Sequence, residues 1–254
     1  MKTLKSKDFV VKQIKDLLAK PPLKQIISSL EDAELCLVGG ALRDLFLGES
    51  PLDFDLATSL SSEEIIKRCS KAKIVSILPN PQHSTVLAII NKHQIEITPF
   101  RGEQAESSIE TDLPLRDFTI NSLAYHIGRK EIIDLTGGLR DLAEGILRAN
   151  KPAEKIFKDD PLRILRMVRF GEGAGRKVEE ETLNTARALR HLIKQVAVER
   201  IRDELVKILL LKRVKEAFYS LDNVGVLEIL LPELAATKGF QQNEFHTEDL
   251  FNHT

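Results

Sequence analysis

An apolar run, Leu35-Cys-Leu-Val38, passes without a break into the pair Gly39-Gly40, and thirteen residues after Gly40 two aspartates, Asp53 and Asp55, stand one residue apart. This arrangement restricts the local fold severely. The run reads as a short buried strand ending at the glycines, with a helix beginning near Ala41. Glycines at that junction let backbone N–H groups approach an anion at the helix N-terminus, and Arg43 adds a positive fork one turn in. Residues two apart in a strand point to one face, so Asp53 and Asp55 are expected to present two carboxylates side by side. Such a pair repels itself unless a cation lies between. All-oxygen ligands suit Mg²⁺, which usually binds one or two carboxylates together with substrate phosphates. A phosphate cradle and a metal-binding pair on one short segment imply chemistry on a nucleoside triphosphate.

An Asp-x-Asp pair alone is also common at solvated strand ends and turns. Glycosyltransferases use one for metal-bound sugar nucleotides. Phosphatases of the haloacid dehalogenase type follow theirs two residues later with Thr or Val, and here that position is Ala57. The upstream Gly39-Gly-x-x-Arg43-Asp44 fits neither class.

The segment Gly39-Gly-Ala-Leu-Arg-Asp-x3-Gly48-x4-Asp53-x-Asp55 resembles the signature of the tRNA nucleotidyltransferase and poly(A) polymerase family, the bacterial-type branch of the DNA polymerase β-like nucleotidyltransferases. Further stretches resemble that family's later motifs in the expected order. They are Arg116-Asp-Phe-Thr-Ile-Asn-Ser-Leu-Ala-Tyr125, Asp134-Leu-Thr-Gly-Gly-Leu-Arg-Asp141, Asp159-Asp-Pro-Leu-Arg-Ile-Leu-Arg-Met-Val-Arg-Phe170 and Glu199-Arg-Ile-Arg-Asp-Glu-Leu205. Together they span nearly all of the chain from residue 35 onward.

The resemblance implies an α+β fold: an N-terminal polymerase β-like nucleotidyltransferase head with a small mixed β-sheet, followed by an all-helical neck and body. The expected divisions are a helical lead-in over 1–33, the catalytic head over 34–145, a nucleotide-selecting neck over 146–215 and the start of the body over 216–254. The apolar stretches 34–38, 53–57, 73–78, 85–90 and 94–100 read as strands, the last two joined as a hairpin through a polar turn at Asn91-Lys-His93. From about residue 117 the periodicity becomes helical. Asp160 reads as an N-cap with Pro161 in the first helical position, and Val198–Leu211 as an amphipathic helix. The final stretch, Gln242-Asn-Glu-Phe-His246 to His253-Thr254, resembles the lead-in to a further helical domain in relatives, so a longer protein is expected.

No stretch approaches the ~20 apolar residues of a membrane helix, and the Lys-rich start lacks an apolar signal core. The two cysteines, Cys36 and Cys69, have no metal spacing and read as reduced thiols of a cytoplasmic protein. Net charge is only −1, but residues 151–215 carry 17 Lys plus Arg against 10 Asp plus Glu, a net +7. That basic segment suits a phosphate backbone, although a solvated helical face has the same composition.

The resemblance assigns roles residue by residue. Asp53 and Asp55 are expected to hold Mg²⁺, with Glu96 as a third carboxylate, because Ile95 and Ile97 flank it on the opposite strand face. Gly39, Gly40, Arg43 and Arg116 are expected at the nucleotide phosphates, and Asn121 at the ribose. Leu115 stands where the family usually has a second basic residue. Asp160 and Arg163 are the expected base-selecting pair. A carboxylate accepts from the exocyclic amine of cytosine or adenine while a guanidinium donates to the adjacent ring nitrogen, and uracil and guanine present the reverse pattern. Asp159 replaces the usual Glu, and Arg166 and Arg169 continue the arginine face as further nucleotide contacts.

These roles imply transfer of nucleotides from CTP, and in some members ATP, to a tRNA 3′ end. Only ten residues, Gly102 to Thr111, separate Arg101 from Asp112, fewer than in relatives that build a whole CCA end. The shortening resembles CC-adding enzymes, which leave the terminal A to a separate A-adding enzyme; no obligate protein partner is otherwise indicated. Full CCA addition and poly(A) synthesis are the alternatives within the family, and a catalytically silent RNA-binding relative is the alternative outside catalysis.

Overall fold

The computed structural model of the chain describes residues 3–79, 84–102, 107–240 and 251. It divides into two compact units, residues 1–144 and 145–254.

The first unit opens with helices α1 (Lys7–Leu18) and α2 (Leu23–Ser29), then strand β1 (Leu35–Val38), helix α3 (Gly40–Leu47), β2 (Asp55–Thr58) and α4 (Ser62–Lys71). Strands β3 (Val75–Ile77), β4 (Val86–Ile90) and β5 (His93–Pro99) follow, then the short helix α5 (Ile109–Asp112), β6 (Leu123–His126), β7 (Glu131–Asp134) and α6 (Gly138–Glu144). The strands form one seven-stranded sheet in the order β3-β4-β5-β2-β1-β6-β7. It is mixed: β2 pairs parallel with β5, and every other neighbour pair is antiparallel.

Alternation in β4 and β5 separates the two faces of the sheet. Val86, Ala88, Ile95 and Ile97 are buried, whereas Leu87, Ile89, Gln94 and Glu96 are more exposed. This is the pattern of a sheet with one fully covered face. The β4–β5 turn is tighter than the sequence suggests. His93 already belongs to β5, and only Asn91 and Lys92 turn the chain, both with positive φ (49° and 70°). A two-residue turn of that hand matches the twist of the flanking strands.

The helical reading from residue 117 onward is corrected. Leu123–His126 and Glu131–Asp134 form the antiparallel hairpin β6–β7 at one edge of the sheet. Each has four residues, too few for a period-two pattern to stand out beside the longer helical ones. Asp53 also falls outside the strand predicted for it, because β2 begins at Asp55.

The second unit contains α7 (Ala153–Asp159), α8 (Arg163–Phe170), α9 (Glu180–Leu189), α10 (Val198–Leu209), α11 (Val214–Val224), α12 (Leu227–Leu230) and α13 (Pro232–Ala235). It is helical as expected, apart from one brief strand pairing. Two-residue strands β8 (Ile146–Leu147) and β9 (Lys177–Val178) pair in parallel, too briefly to leave a sequence signal. Helix α8 begins at Arg163 rather than Pro161. Asp160 closes α7, and its side chain caps the turn between the helices by accepting from the Leu162 N–H at 3.3 Å. The stretch 241–250 and residues 252–254, which carry most of the resemblance to a further-domain lead-in, lie outside the described residues.

Candidate active site

The end of β1 gathers residues from two sequence motifs. Gly39 has φ +77° and ψ −137°, a backbone conformation open essentially to glycine alone, and its N–H donates to the Leu123 carbonyl at 3.0 Å. A β-carbon there would lie 3.4 Å from Oδ2 of Asp55, 3.8 Å from Nη1 of Arg116 and 4.0 Å from the Asn121 carbonyl. Gly40 starts α3, and the Arg43 guanidinium folds back to within 3.4 Å of where a Gly40 β-carbon would sit. Arg43 is held on two sides, pairing with Asp44 at 2.8 Å and donating from Nη1 to Asn121 Oδ1 at 2.7 Å. The Asn121 Nδ2 donates in turn to Asp117 Oδ1 at 3.2 Å. Asn121 is only 6 % exposed, so in this structure its side chain braces Arg43.

The carboxylates stand at the open face of the sheet. Asp55 and Glu96 are register partners on the parallel strands β2 and β5. Directly paired residues project to one face, so the exposed Glu96 and the half-buried Asp55 are neighbours there. Asp53 lies two residues before β2 and is exposed. This donor set is all oxygen and fits a hard divalent cation. Among the described residues, the one group of three possible ligands within 4.8 Å of each other is a different one: Glu34, Cys36 and His126.

That second group has another explanation. His126 Nδ1 accepts from the Arg129 N–H at 3.0 Å, which leaves Nε2 to donate to Glu34 Oε1 at 3.1 Å. Burial pushes the Cys36 thiol up to about 12, with the nearby Glu34 carboxylate adding to the shift, so no thiolate is present at neutral pH. Glu34 offers carboxylate oxygens, but both imidazole nitrogens are already engaged and the third member is a buried thiol, so the cluster reads as a hydrogen-bonded brace beside the β1–β6 pairing.

Behind Arg116 lies a residue that sequence reasoning missed. Asp112 is fully buried and accepts from Arg116 Nε and Nη2 at 2.8 and 2.7 Å. Its other oxygen accepts from the Arg101 N–H at 3.3 Å, and the Thr111 hydroxyl donates to the Arg101 carbonyl at 3.0 Å. One carboxylate therefore orients Arg116 and also fastens both ends of the 102–111 segment. Residues 103–106 of that segment lie outside the described residues. The third motif is locked to the second in a similar way. Asp141 is fully buried and accepts from the Thr119 hydroxyl at 2.8 Å, and Gly138 packs directly on the Thr119 carbonyl.

In the second unit the expected selector residues are individually held. Asp160 Oδ1 accepts from Leu162, and Oδ2 accepts from Arg200 Nη2 at 2.9 Å. Arg163 Nη1 donates to the Ile156 carbonyl at 3.1 Å. Arg169 pairs with the buried Glu204 at 2.5 Å and lies 3.9 Å from the centre of the Phe170 ring, with Arg166 at 5.2 Å. The structure thus keeps the three arginines along one side of α8 and ties the last to α10. A recess of about 570 Å³, lined by residues such as Lys24, Ser28, Ile74 and Ile89, shares no residue with either group.

Comparison with known proteins identifies the family. Residues 35–148 match the Poly A polymerase head domain, and residues 175–238 match the probable RNA and SrmB-binding site of polymerase A. The chain belongs to the tRNA nucleotidyltransferase and poly(A) polymerase family. It is 38 % identical over 205 residues to the CCA-adding enzyme of Ligilactobacillus salivarius, covering 75 % of this chain and 50 % of that protein. It is 40 % identical over 187 residues to the CC-adding tRNA nucleotidyltransferase of Halalkalibacterium halodurans, covering 73 % and 47 %. The Bacillus stearothermophilus CCA-adding enzyme, solved in complex with CTP, matches with a TM-score of 0.71 at 32 % identity, over 82 % of this chain and 53 % of that one. The chain spans about half the length of the curated relatives it matches. Among the described residues no helix is long and apolar enough to cross a membrane.

Proposed function

We propose that this chain carries the catalytic part of a cytoplasmic, template-independent tRNA nucleotidyltransferase, which extends the tRNA 3′ end from CTP and stops after two cytidines. The observation that carries the reading is the convergence at Gly39, where the first motif's Asp55 and the second motif's Arg116 approach one point beside a helix N-terminus. A nucleoside triphosphate needs such a place: a backbone with no side chain in the way, cationic donors, and carboxylates for its counter-ion.

In this reading Arg43 and Arg116 bind the triphosphate, and their fixed partners Asp44, Asn121 and Asp112 hold the guanidinium planes in position before substrate arrives. Asp53, Asp55 and Glu96 would hold Mg²⁺, which when bound supplies charge stabilisation for phosphoryl transfer. The 3′-hydroxyl oxygen bonds to the α-phosphorus as the bond to pyrophosphate breaks. Asp160 and Arg163 read the base edge, with Arg166 and Arg169 beside them, and Asn121, expected at the ribose, acts instead through Arg43, which it braces. The net-positive segment 151–215 faces RNA phosphates.

Two observations support CC addition over full CCA addition: the ten-residue segment between Arg101 and Asp112, and the similarity to a relative named as CC-adding. Relatives named as CCA-adding favour the second reading, in which ATP is also a substrate. One assay separates them. The protein is incubated with tRNA lacking its end, each nucleoside triphosphate is supplied singly and in combination, and the products are sequenced. Products ending in CC with all four nucleotides present support the first reading, CCA ends the second, and long adenosine tails poly(A) synthesis.

A further inference from the structure

The carboxylate expected to read the base is itself held by a residue forty positions downstream. Asp160 sits in the extended turn between α7 and α8 (φ −149°, ψ 97°), where nothing in the backbone fixes its side chain beyond the 3.3 Å bond from Leu162 N–H to Oδ1. Its second oxygen, Oδ2, accepts from Nη2 of Arg200 in the first turn of α10, at 2.9 Å. The pair is not an open surface contact: the Asp160 side chain is 23 % exposed and that of Arg200 40 %. Helix α10 is anchored against α8 independently through Glu204, which is 2 % exposed and bonds Arg169. Arg200 therefore reaches Asp160 from a backbone already fixed relative to α8.

We propose that Arg200 is a positioning and specificity-determining residue, which holds the Asp160 carboxylate in the orientation that accepts the exocyclic amine of cytosine. This deepens the proposed function and rests on the reading of Asp160 as base selector. A carboxylate has about four acceptor positions, so the bonds from Leu162 and Arg200 leave others for a base. Without Arg200 the side chain gains rotamers, and the discrimination built on its fixed placement weakens. No local sequence pattern reveals the pairing, because the partners belong to motifs that are far apart in the chain.

The test measures incorporation of C against U in competition on tRNA lacking its end, for the parent chain and for Arg200→Ala, Arg200→Lys, Asp160→Ala and the double variant Asp160→Ala/Arg200→Ala. Arg202→Ala, which removes an exposed neighbouring guanidinium paired to Asp203, controls for general loss of charge. Arg200→Ala is expected to lower the C-to-U ratio about tenfold, the scale of one charge-assisted hydrogen bond. Arg200→Lys should recover part of the ratio, Arg202→Ala should leave it at the parent value, and the double variant should be no worse than Asp160→Ala alone. A parental ratio in Arg200→Ala, or an additive double variant, overturns the inference while Asp160 remains the selector. A parental ratio in Asp160→Ala instead removes the selector reading beneath it. Thermal melting establishes folding first. If Arg200→Ala fails to fold, Arg200→Lys decides: a ratio between parent and Asp160→Ala supports the inference, and a parental ratio overturns it.

Discussion

Asp55 and Glu96 are register partners on two parallel strands, so their side chains leave the same face of the sheet as neighbours. A hairpin slip of one residue would turn Glu96 toward the core and carry Ile95 and Ile97 out to the open face. The two-residue turn at Asn91-Lys92 is what prevents the slip, and it thereby places an acidic group beside Asp55.

Removing the acidic residues should separate catalysis from folding. Asp53→Ala and Asp55→Ala are expected to abolish nucleotide addition in Mg²⁺ with thermal midpoints near the parent's, because taking away a mutually repelling carboxylate rarely destabilises. Glu96→Gln should slow addition about ten- to a hundredfold and raise the Mg²⁺ concentration needed for half-maximal rate. Rates within about threefold of the parent for either aspartate variant, less than 1 kcal/mol in barrier, would falsify their assignment as metal ligands.

Base choice should depend on Asp160 and Arg163 more than overall rate does. Alanine at either position is expected to reduce discrimination of C over U by one to three orders of magnitude, from ~1–4 kcal/mol of unpaired polar groups. The measurement is competition among all four nucleoside triphosphates, and an unchanged preference would place the selector elsewhere.

With ATP and CTP both abundant, products should stall after two cytidines. Asp112 fastens Arg101 and orients Arg116, so a segment grafted between residues 101 and 112 from a CCA-adding relative should restore addition of the terminal A. Product sequencing that shows complete CCA ends from the unmodified protein would refute the CC-adding assignment.

Gly138→Ala should be strongly destabilising. The added β-carbon would meet the Thr119 carbonyl oxygen at 2.1 Å, a backbone atom with no room to retreat while Asp141 holds the Thr119 hydroxyl. A loss of about 3 kcal/mol is expected, visible in urea unfolding as a lower midpoint at an unchanged slope. A variant as stable as the parent would contradict that close packing.

The buried Cys36 thiol gives alkaline sensitivity. Its folded value lies near 12 against an ordinary 9.0, so the unfolded thiol ionises first as pH rises. The contribution to stability is intact below about pH 9 and is lost progressively toward pH 12. Melting temperatures from pH 8 to 11 should fall more steeply for the parent than for Cys36→Ala, whatever the difference between them at neutral pH. Parallel curves would show that another group governs the alkaline limb.

Much of the head was legible because its signals are local. The glycine pair, the β4–β5 hairpin and the alternation around Glu96 each follow from a few adjacent residues. Strands β6 and β7 were not, since four-residue strands inside a motif that also contains a short 3₁₀ turn show no clear period. The supporting residues were missed for a different reason. Asp112 could have been suspected from its spacing of four to Arg116 near a helical turn, but its complete burial and its second bond to Arg101 are products of folding. Arg200 and Glu204 reach α8 only through the packing of α10, and nothing in the fifth motif indicates which arginine faces Asp160 and which faces solvent.

Helix α3 has its first residue at the candidate phosphate cradle, while Leu42, Leu45 and Phe46 along its length belong to the core of the head. The cradle is built on this core, so whatever melts the core dismantles it in the same event. A triphosphate bound there would therefore act as a clamp on the whole head, raising its melting temperature by mass action as the nucleotide concentration climbs above the dissociation constant. Heat tolerance of the head would then follow nucleotide supply, and starvation for substrate would leave it at its most fragile.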